Sequence, residues 1–310
     1  MTTGASIFPG QALFAACLFC VLAAPAAVPA RAQSRSITPA PSIHDQTTPA
    51  DQNKGRALLD TIRSIAIEGD LYFDFQIRLR PKRGAATRIP GRLWTSRNTL
   101  GPITRITISP GSPENQRDII IQNGPNSATW IWPAADAADP AAGAGATPAS
   151  TPASPEAMFT PLAGTDLTPF ELQMPFIHWD DFLYEGLRAA IGRVTHAFRM
   201  RPPPGIAAAR PDISGVRIYY DEGFRAITVF EILGPGGVVA KTMKLKEFHV
   251  VGGQFCLRKA ELRNEATGNG TDFDILLTGV KLTLPRDIFS PEKISTPAAP
   301  PPLEQLWKTR

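Results

Sequence analysis

From Leu71 to Arg80 the chain alternates without a break. Leu71, Phe73, Phe75, Ile77 and Leu79 point one way, and Tyr72, Asp74, Gln76, Arg78 and Arg80 point the other. Period-2 alternation predicts a strand with one covered and one wet face, which is an antiparallel habit. Strand-like runs follow at 87–95, 103–109, 117–122 and 129–132, punctuated by Gly-Pro, Pro-Gly and Asn-Gly signals. The second half reads as a meander, with strands at 184–186, 194–201, 215–221, 226–233, 238–251, 254–263, 271–278 and 280–284. The glycine clusters at 234–237, 252–253 and 268–270 read as hairpin turns. They are not phosphate loops, because none leads into a helix.

Two stretches depart from the strand rhythm. Residues 54–67 place Leu58, Leu59, Ile62, Ile65 and Ala66 on one face of a helix. Residues 166–176 carry a shorter helix with its own start and stop. Thr168 and Glu171 have capping-box spacing, Pro169 falls at the first helical position, and Leu167 and Leu172 take the staple positions. Pro175 ends it. Its cargo of Phe170, Leu172, Met174 and Phe176 is too apolar for a surface turn and cannot bury itself. It must lie on something apolar, and the strands supply it: the expectation is a lid over a curved sheet, in the α+β class.

Composition trims the chain to this core. Of 310 residues, 43% are hydrophobic and 19% charged, which is globular usage, but the 31 prolines cluster. Residues 33–52 read as a flexible lead-in, 133–157 as a disordered Ala/Pro-rich insertion, and 295–310 as a Pro-rich tail, leaving a domain at 53–294. Residues 12–28 form an apolar run broken by Pro25, followed by Ala30-Arg31-Ala32. That is the pattern of a signal peptide over 1–32, cleaved near Ala32, although no Lys or Arg precedes the run. No other segment is long enough to span a bilayer, so the expected product is exported and soluble. Cys17 and Cys20 leave with the signal, and Cys256 is then alone, read as a buried strand residue.

Several motifs in this order resemble a known family. They are T-D-L-T-P-F-E-L at 165–172, the run 179–186, R-K-A-E-L-R-N-E-A-T-G-N-G-T at 258–271, and I-F-S-P-E-K-I at 288–294. Together they look like the outer-membrane lipoprotein-sorting proteins, the LolA-like periplasmic lipoprotein carriers, over residues 54–294. The resemblance implies an incomplete antiparallel β-barrel of about ten or eleven strands. Helices would cover its concave apolar face, and acyl chains of lipoproteins or other lipids would enter beneath a lid. The insertion and the tail are outside that pattern, and the basic residue that helps hold the carriers' lid shut is not placed by sequence.

The candidate chemistry follows. Phe73, Phe75, Ile77, Leu93, Trp130 and Trp132, with lid residues Leu167, Phe170, Leu172, Met174 and Phe176, would line a ligand cavity or else fill a core. Between Asp74 and Glu114 there is no acidic residue, while Arg78, Arg80, Lys82, Arg83 and Arg88 all occur. These are either a solvated outer face or a docking surface for an anionic membrane or membrane partner. Export argues against nucleic acid. His178 lies near Asp180 and Asp181 but without metal-ligand spacing, and no nucleophile elbow or paired-Cys site occurs. The expectation is therefore no enzyme, no metal and no cofactor. A carrier is expected, with an envelope lipid sensor or interaction module on the same fold as the alternative.

Overall fold

The computed structural model describes residues 49–65, 68–109, 116–124, 126–133 and 151–309. The expected signal peptide, most of the lead-in and residues 134–150 of the insertion lie outside the described residues. The strands are β1 (Asp70–Arg80), β2 (Thr87–Asn98), β3 (Gly101–Ile108), β4 (Arg117–Gln122), β5 (Ala128–Trp132), β6 (Phe182–Ala190) and β7 (Arg193–Met200). They continue as β8 (Gly215–Asp221), β9 (Ala226–Leu233), β10 (Val239–Val251), β11 (Gln254–Asn264), β12 (Gly270–Leu282) and β13 (Trp307–Lys308). All thirteen join one sheet, in the order β5-β4-β3-β2-β1-β12-β11-β10-β9-β8-β7-β6, with β13 beside β12. Every pairing is antiparallel. The sheet is not closed: β5 and β6 are its two edges. Two meanders, β1–β5 and β6–β12, meet at a long-range seam where Phe73 faces Thr278 and Ile77 faces Phe273.

The alternation expected in β1 becomes two faces. Leu71, Phe73, Phe75 and Ile77 enter the main buried cluster, while Tyr72 enters a second cluster on the opposite face with Trp94, Ile103 and Ile120. Where two strands were expected between 271 and 284, one runs through. Gly279 is not a turn there: a Cβ on it would come within 2.9 Å of Leu306 Cδ2, so it lets another segment approach the strand closely.

That other segment is the Pro-rich tail. Together with residues 286–294 just before it, it crosses the second face, where Phe289 and Ile294 are buried in one cluster with Tyr72 and Trp94, and Trp94 Nε1 donates to the Ala299 carbonyl at 3.2 Å. Beneath it Arg105 is 1% exposed and clasps the strap. Its guanidinium donates to the carbonyls of Ile288 (3.2 Å), Ile294 (2.7 Å) and Thr296 (2.7 Å) and pairs with Asp118 at 2.9 Å.

Among the described residues the helices are α1 (Gln52–Ser64), α2 (Pro169–Gln173) and α3 (Pro204–Ala209), with short 3₁₀ turns beside them. Asp51 caps α1 by accepting from the N–H groups of Asn53 (2.9 Å) and Lys54 (3.3 Å). α1 sits beside β6, and the Gln52 side-chain amide pairs with the Tyr184 backbone in both directions at 2.9 Å. One side chain thus supplies the partner that an edge strand lacks.

Candidate functional site: the seat of the short helix

Local rules written in the sequence build α2. The capping box forms, with the Thr168 N–H donating to the Glu171 carboxylate at 2.7 Å and the Thr168 hydroxyl bonded to the same group. The helix is shorter than the 166–176 expected. Pro175 excludes the α conformation for the residue before it, and Met174 turns left-handed (φ 50°). A 3₁₀ turn at Pro175–His178 follows. This break redirects the chain so that both halves bury their apolar residues.

Leu167, Phe170, Leu172, Met174 and Phe176 are between 0 and 3% exposed, in the same cluster as Phe73, Phe75, Ile77 and Leu93. Phe176 lies 5.0 Å from the β9 ring of Phe230, and Phe170 lies 5.8 Å from Phe176 and 4.6 Å from Phe159. In this state the strand residues Phe73, Phe75, Ile77 and Leu93 are themselves buried, within the cluster that also holds the helix's apolar residues. Trp130 and Trp132 are the exceptions. They pack against the second cluster, on the opposite face, because Trp130 stands across from Ile120, which is also on that face. Their neighbour Ile131 packs against the main cluster instead.

Polar side chains that the sequence reading did not single out hold this assembly. In β10 and β11, Lys241 and Asn264 stand directly opposite one another on the main-cluster face, in step with Met243–Leu262 and Leu245–Ala260. Lys241 Nζ donates to the Asp166 carbonyl (2.7 Å) and pairs with Glu171 (2.9 Å), while Asn264 donates to the Asp166 carboxylate (2.6 Å). The cross-strand pair therefore grips the start of α2. At the other end Arg63 of α1 donates from Nε to the Ile177 carbonyl (2.8 Å) and from Nη2 to the Trp179 carbonyl (2.9 Å). Burial lowers the Arg63 pKa, partly offset by Asp180 and Asp60. His178, between the two carbonyls, is pushed down to about 4 by burial, with Arg63 adding repulsion. A signal for both cations existed: Arg63 shares the helical face of Leu59 and Ile62, and Lys241 shares the strand face of Met243 and Leu245.

The expected basic surface divides. Arg78 pairs with Asp272 at 2.5 Å, and Arg80 pairs with both Glu261 (2.6 Å) and Asp272 (2.7 Å). These carboxylates, distant in sequence, arrive through β11 and β12, so the charge of the two arginines is largely answered. Together with Lys246, Glu247 and Lys259 they wall a polar cavity of about 260 Å³. Lys82, Arg83 and Arg88 are exposed. Cys256 is buried, and burial pushes its thiol up to about 12, so it is no nucleophile at neutral pH.

No family model matches the chain, and no curated protein matches it in sequence. Solved structures do. A DUF1329 family protein from Desulfovibrio piger aligns with a TM-score of 0.63 at 12% identity, covering 76% of this chain and 96% of its own. A domain described as an outer membrane lipoprotein-sorting protein from Vibrio parahaemolyticus aligns at 0.60 and 12% identity, covering 78% and 96%. A LolA superfamily protein from Nitrosomonas europaea aligns at 0.53 and 13% identity, covering 76% and 96%. At these identities the likeness is one of fold, and the fold of this chain is LolA-like.

Proposed function

We propose that the chain is an exported, periplasmic carrier that binds acyl chains of lipoproteins or other lipids without covalent chemistry, in outer-membrane lipoprotein sorting. Its fold is shared with a domain described by that sorting role. The observation that carries the reading is how α2 is attached. Its buried face is apolar and non-directional, of a kind a hydrocarbon can replace, while a few polar bonds fix its place: Lys241 to Glu171, Asn264 to Asp166 just before it, Gln173 to the Gln122 carbonyl, and Arg63 to the turn that follows. Such an element can leave as a unit and return to one position.

An acyl chain entering beneath α2 would gain ~0.8 kcal/mol per buried CH₂. Ten methylenes are therefore worth about 8 kcal/mol, enough to compete with the buried residues of so short a helix. Cargo and α2 then exclude one another. A better-fitting acceptor can withdraw the chain, and α2 re-seats behind it. Exposed Lys82, Arg83 and Arg88 would meet an anionic membrane surface or membrane partner during that exchange.

The test is binding of the fluorescent fatty acid cis-parinaric acid to the full chain and to Lys241→Met. The variant, with α2 less firmly fastened, is expected to bind faster and more tightly while its circular dichroism stays unchanged. Absence of binding by both folded proteins would end the carrier reading.

A further inference from the structure

Where the strap crosses it, the second face is apolar; farther along β1 the same face carries Arg78 and Arg80. There Arg88, Arg78, Asp272 and Glu261 form one row across β2, β1, β12 and β11, each directly opposite the next. Like charges directly opposite one another destabilise a sheet, and this row contains two such pairs, Arg88 with Arg78 and Asp272 with Glu261. The acidic pair is answered from within the protein. Arg78 and Arg80 bond the two oxygens of Asp272 (2.5 and 2.7 Å), and Arg80 and Lys246 bond the two oxygens of Glu261 (2.6 and 2.8 Å). Arg88 has no carboxylate partner among the described residues.

A bulge opens this row into the polar cavity of about 260 Å³. β10 shifts register on both sides of Glu247, so Lys246 and Glu247 both wall the cavity, where a regular strand would send them to opposite faces. The walls carry four cations, Arg78, Arg80, Lys246 and Lys259, against three carboxylates, Glu247, Glu261 and Asp272. Each oxygen of Asp272 and Glu261 is already engaged, whereas the cations keep spare N–H groups. Among the described residues Lys259 makes no hydrogen bond: its nearest carboxylates, Glu247 and Asp274, are both 3.7 Å away. Lys246 bonds Glu261 alone, and the buried Nε of Arg80 has no partner. A hollow with surplus positive charge and unused donors suits an acceptor-rich anion.

We propose that this cavity is a binding site for a phosphate monoester, carried by a lipid headgroup or by a soluble molecule. Such a group brings close to two negative charges and three strong acceptor oxygens. It accepts from Lys259, Lys246 and Arg80 without displacing the bonds that hold Asp272 and Glu261, and its charge relieves the repulsion between Arg78 and Arg88. A cation would meet the surplus positive charge, and an apolar group would leave it unpaired. The site lies across the sheet from α2 and does not depend on acyl binding.

The probes are inorganic phosphate and glycerol 3-phosphate, titrated calorimetrically into the full chain and two double variants. Lys246→Gln with Lys259→Gln strips the cavity; Arg188→Gln with Lys308→Gln removes the same charge from exposed positions outside it. The expected result is saturable binding, weakened about tenfold or more by the first pair and less than about twofold by the second. Absence of saturable binding would overturn the proposal, and so would equal weakening by both pairs, which would reduce the effect to net charge. Should the first pair not fold, Lys259→Gln alone decides, since that side chain has no hydrogen bond to lose: weaker binding supports the site and unchanged binding overturns it. Phosphatidylcholine vesicles carrying phosphatidic acid, compared with vesicles carrying phosphatidylglycerol at matched surface charge, identify the source. Preferential sedimentation with phosphatidic acid, lost in the first pair, supports a lipid headgroup. Binding of glycerol 3-phosphate without that preference supports a soluble ester.

Discussion

Lys241 Nζ lies 2.9 Å from Glu171 Oε1 across a separation of 70 residues, and Glu171 is only 1% exposed. The same carboxylate closes the capping box with Thr168, so one buried charge both starts α2 and ties it to β10. Removing Lys241 would leave a buried carboxylate with only its capping bonds. Breaking such a pair from one side costs about 3–5 kcal/mol, whereas removing both charges costs much less. Lys241→Met should therefore destabilise strongly in urea titrations. Lys241→Met with Glu171→Gln should recover a substantial part, and a double-mutant cycle showing simple additivity would refute the coupling.

Arg63 makes the equivalent connection from α1. Replacing it with Met would leave the Ile177 and Trp179 carbonyls without their donor, at about 1–3 kcal/mol each. Lysine is not a conservative replacement, because its single ammonium lacks the fork that reaches two carbonyls at once. The expected outcome for Arg63→Met is loss of exchange protection in α1 and in residues 175–179 together, with β1 and β12 unaffected. Loss confined to α1 would show that the two elements are independent.

How much of this could be read beforehand depended on sequence separation. The β1 strand and the start of α2 were legible because alternation, a capping box and Pro169 act within a few residues. The seam between β1 and β12 left no local trace, nor did the clasp of Lys241 and Asn264 on Asp166. The basic run from Arg78 looked unanswered because Asp272 and Glu261 lie nearly two hundred residues away in sequence. The two tryptophans of β5 were placed on the wrong face for a different reason. Both faces of that strand are partly covered, so hydrophobicity does not say which is which, and the Pro-rich composition of residues 295–310 gives no sign that they continue the cover of the tryptophan face.

The element around α2 should also loosen in acid. His178 is held near 4 in the fold against 6.5 in an unfolded chain, so between these values the unfolded state binds the extra proton. Its contribution is fully present above about 6.5 and is lost as pH falls toward 4, on the order of 3 kcal/mol in all. His196 and His249, also lowered by burial, act in the same direction. Thermal melts from pH 7.5 to pH 4.5 should therefore show a falling Tm, and His178→Gln should flatten the curve by its own share. An unchanged slope would place the acid sensitivity in the other two histidines.

Gly55 sets two physical effects against each other. In the middle of an exposed helix, Gly→Ala is stabilising by about 1 kcal/mol, since glycine loses more backbone freedom on folding. Here a Cβ would sit 2.4 Å from Tyr184 Cβ and 2.7 Å from its Cγ, and Tyr184 belongs to edge strand β6, where its backbone is already paired with Gln52. The ring cannot swing aside freely, because its hydroxyl bonds to His196 Nδ1 at 2.7 Å and its face lies 5.0 Å from Phe198. Overpacking of this kind costs about 1–3 kcal/mol, which exceeds the propensity gain. Gly55→Ala should therefore lower the Tm and unseat α1, visible as faster exchange at the Tyr184 amide when Gln52 lifts away. A stabilised variant would mean that α1 rests on the sheet more loosely than these distances imply, and the Arg63 contacts would then be holding it alone.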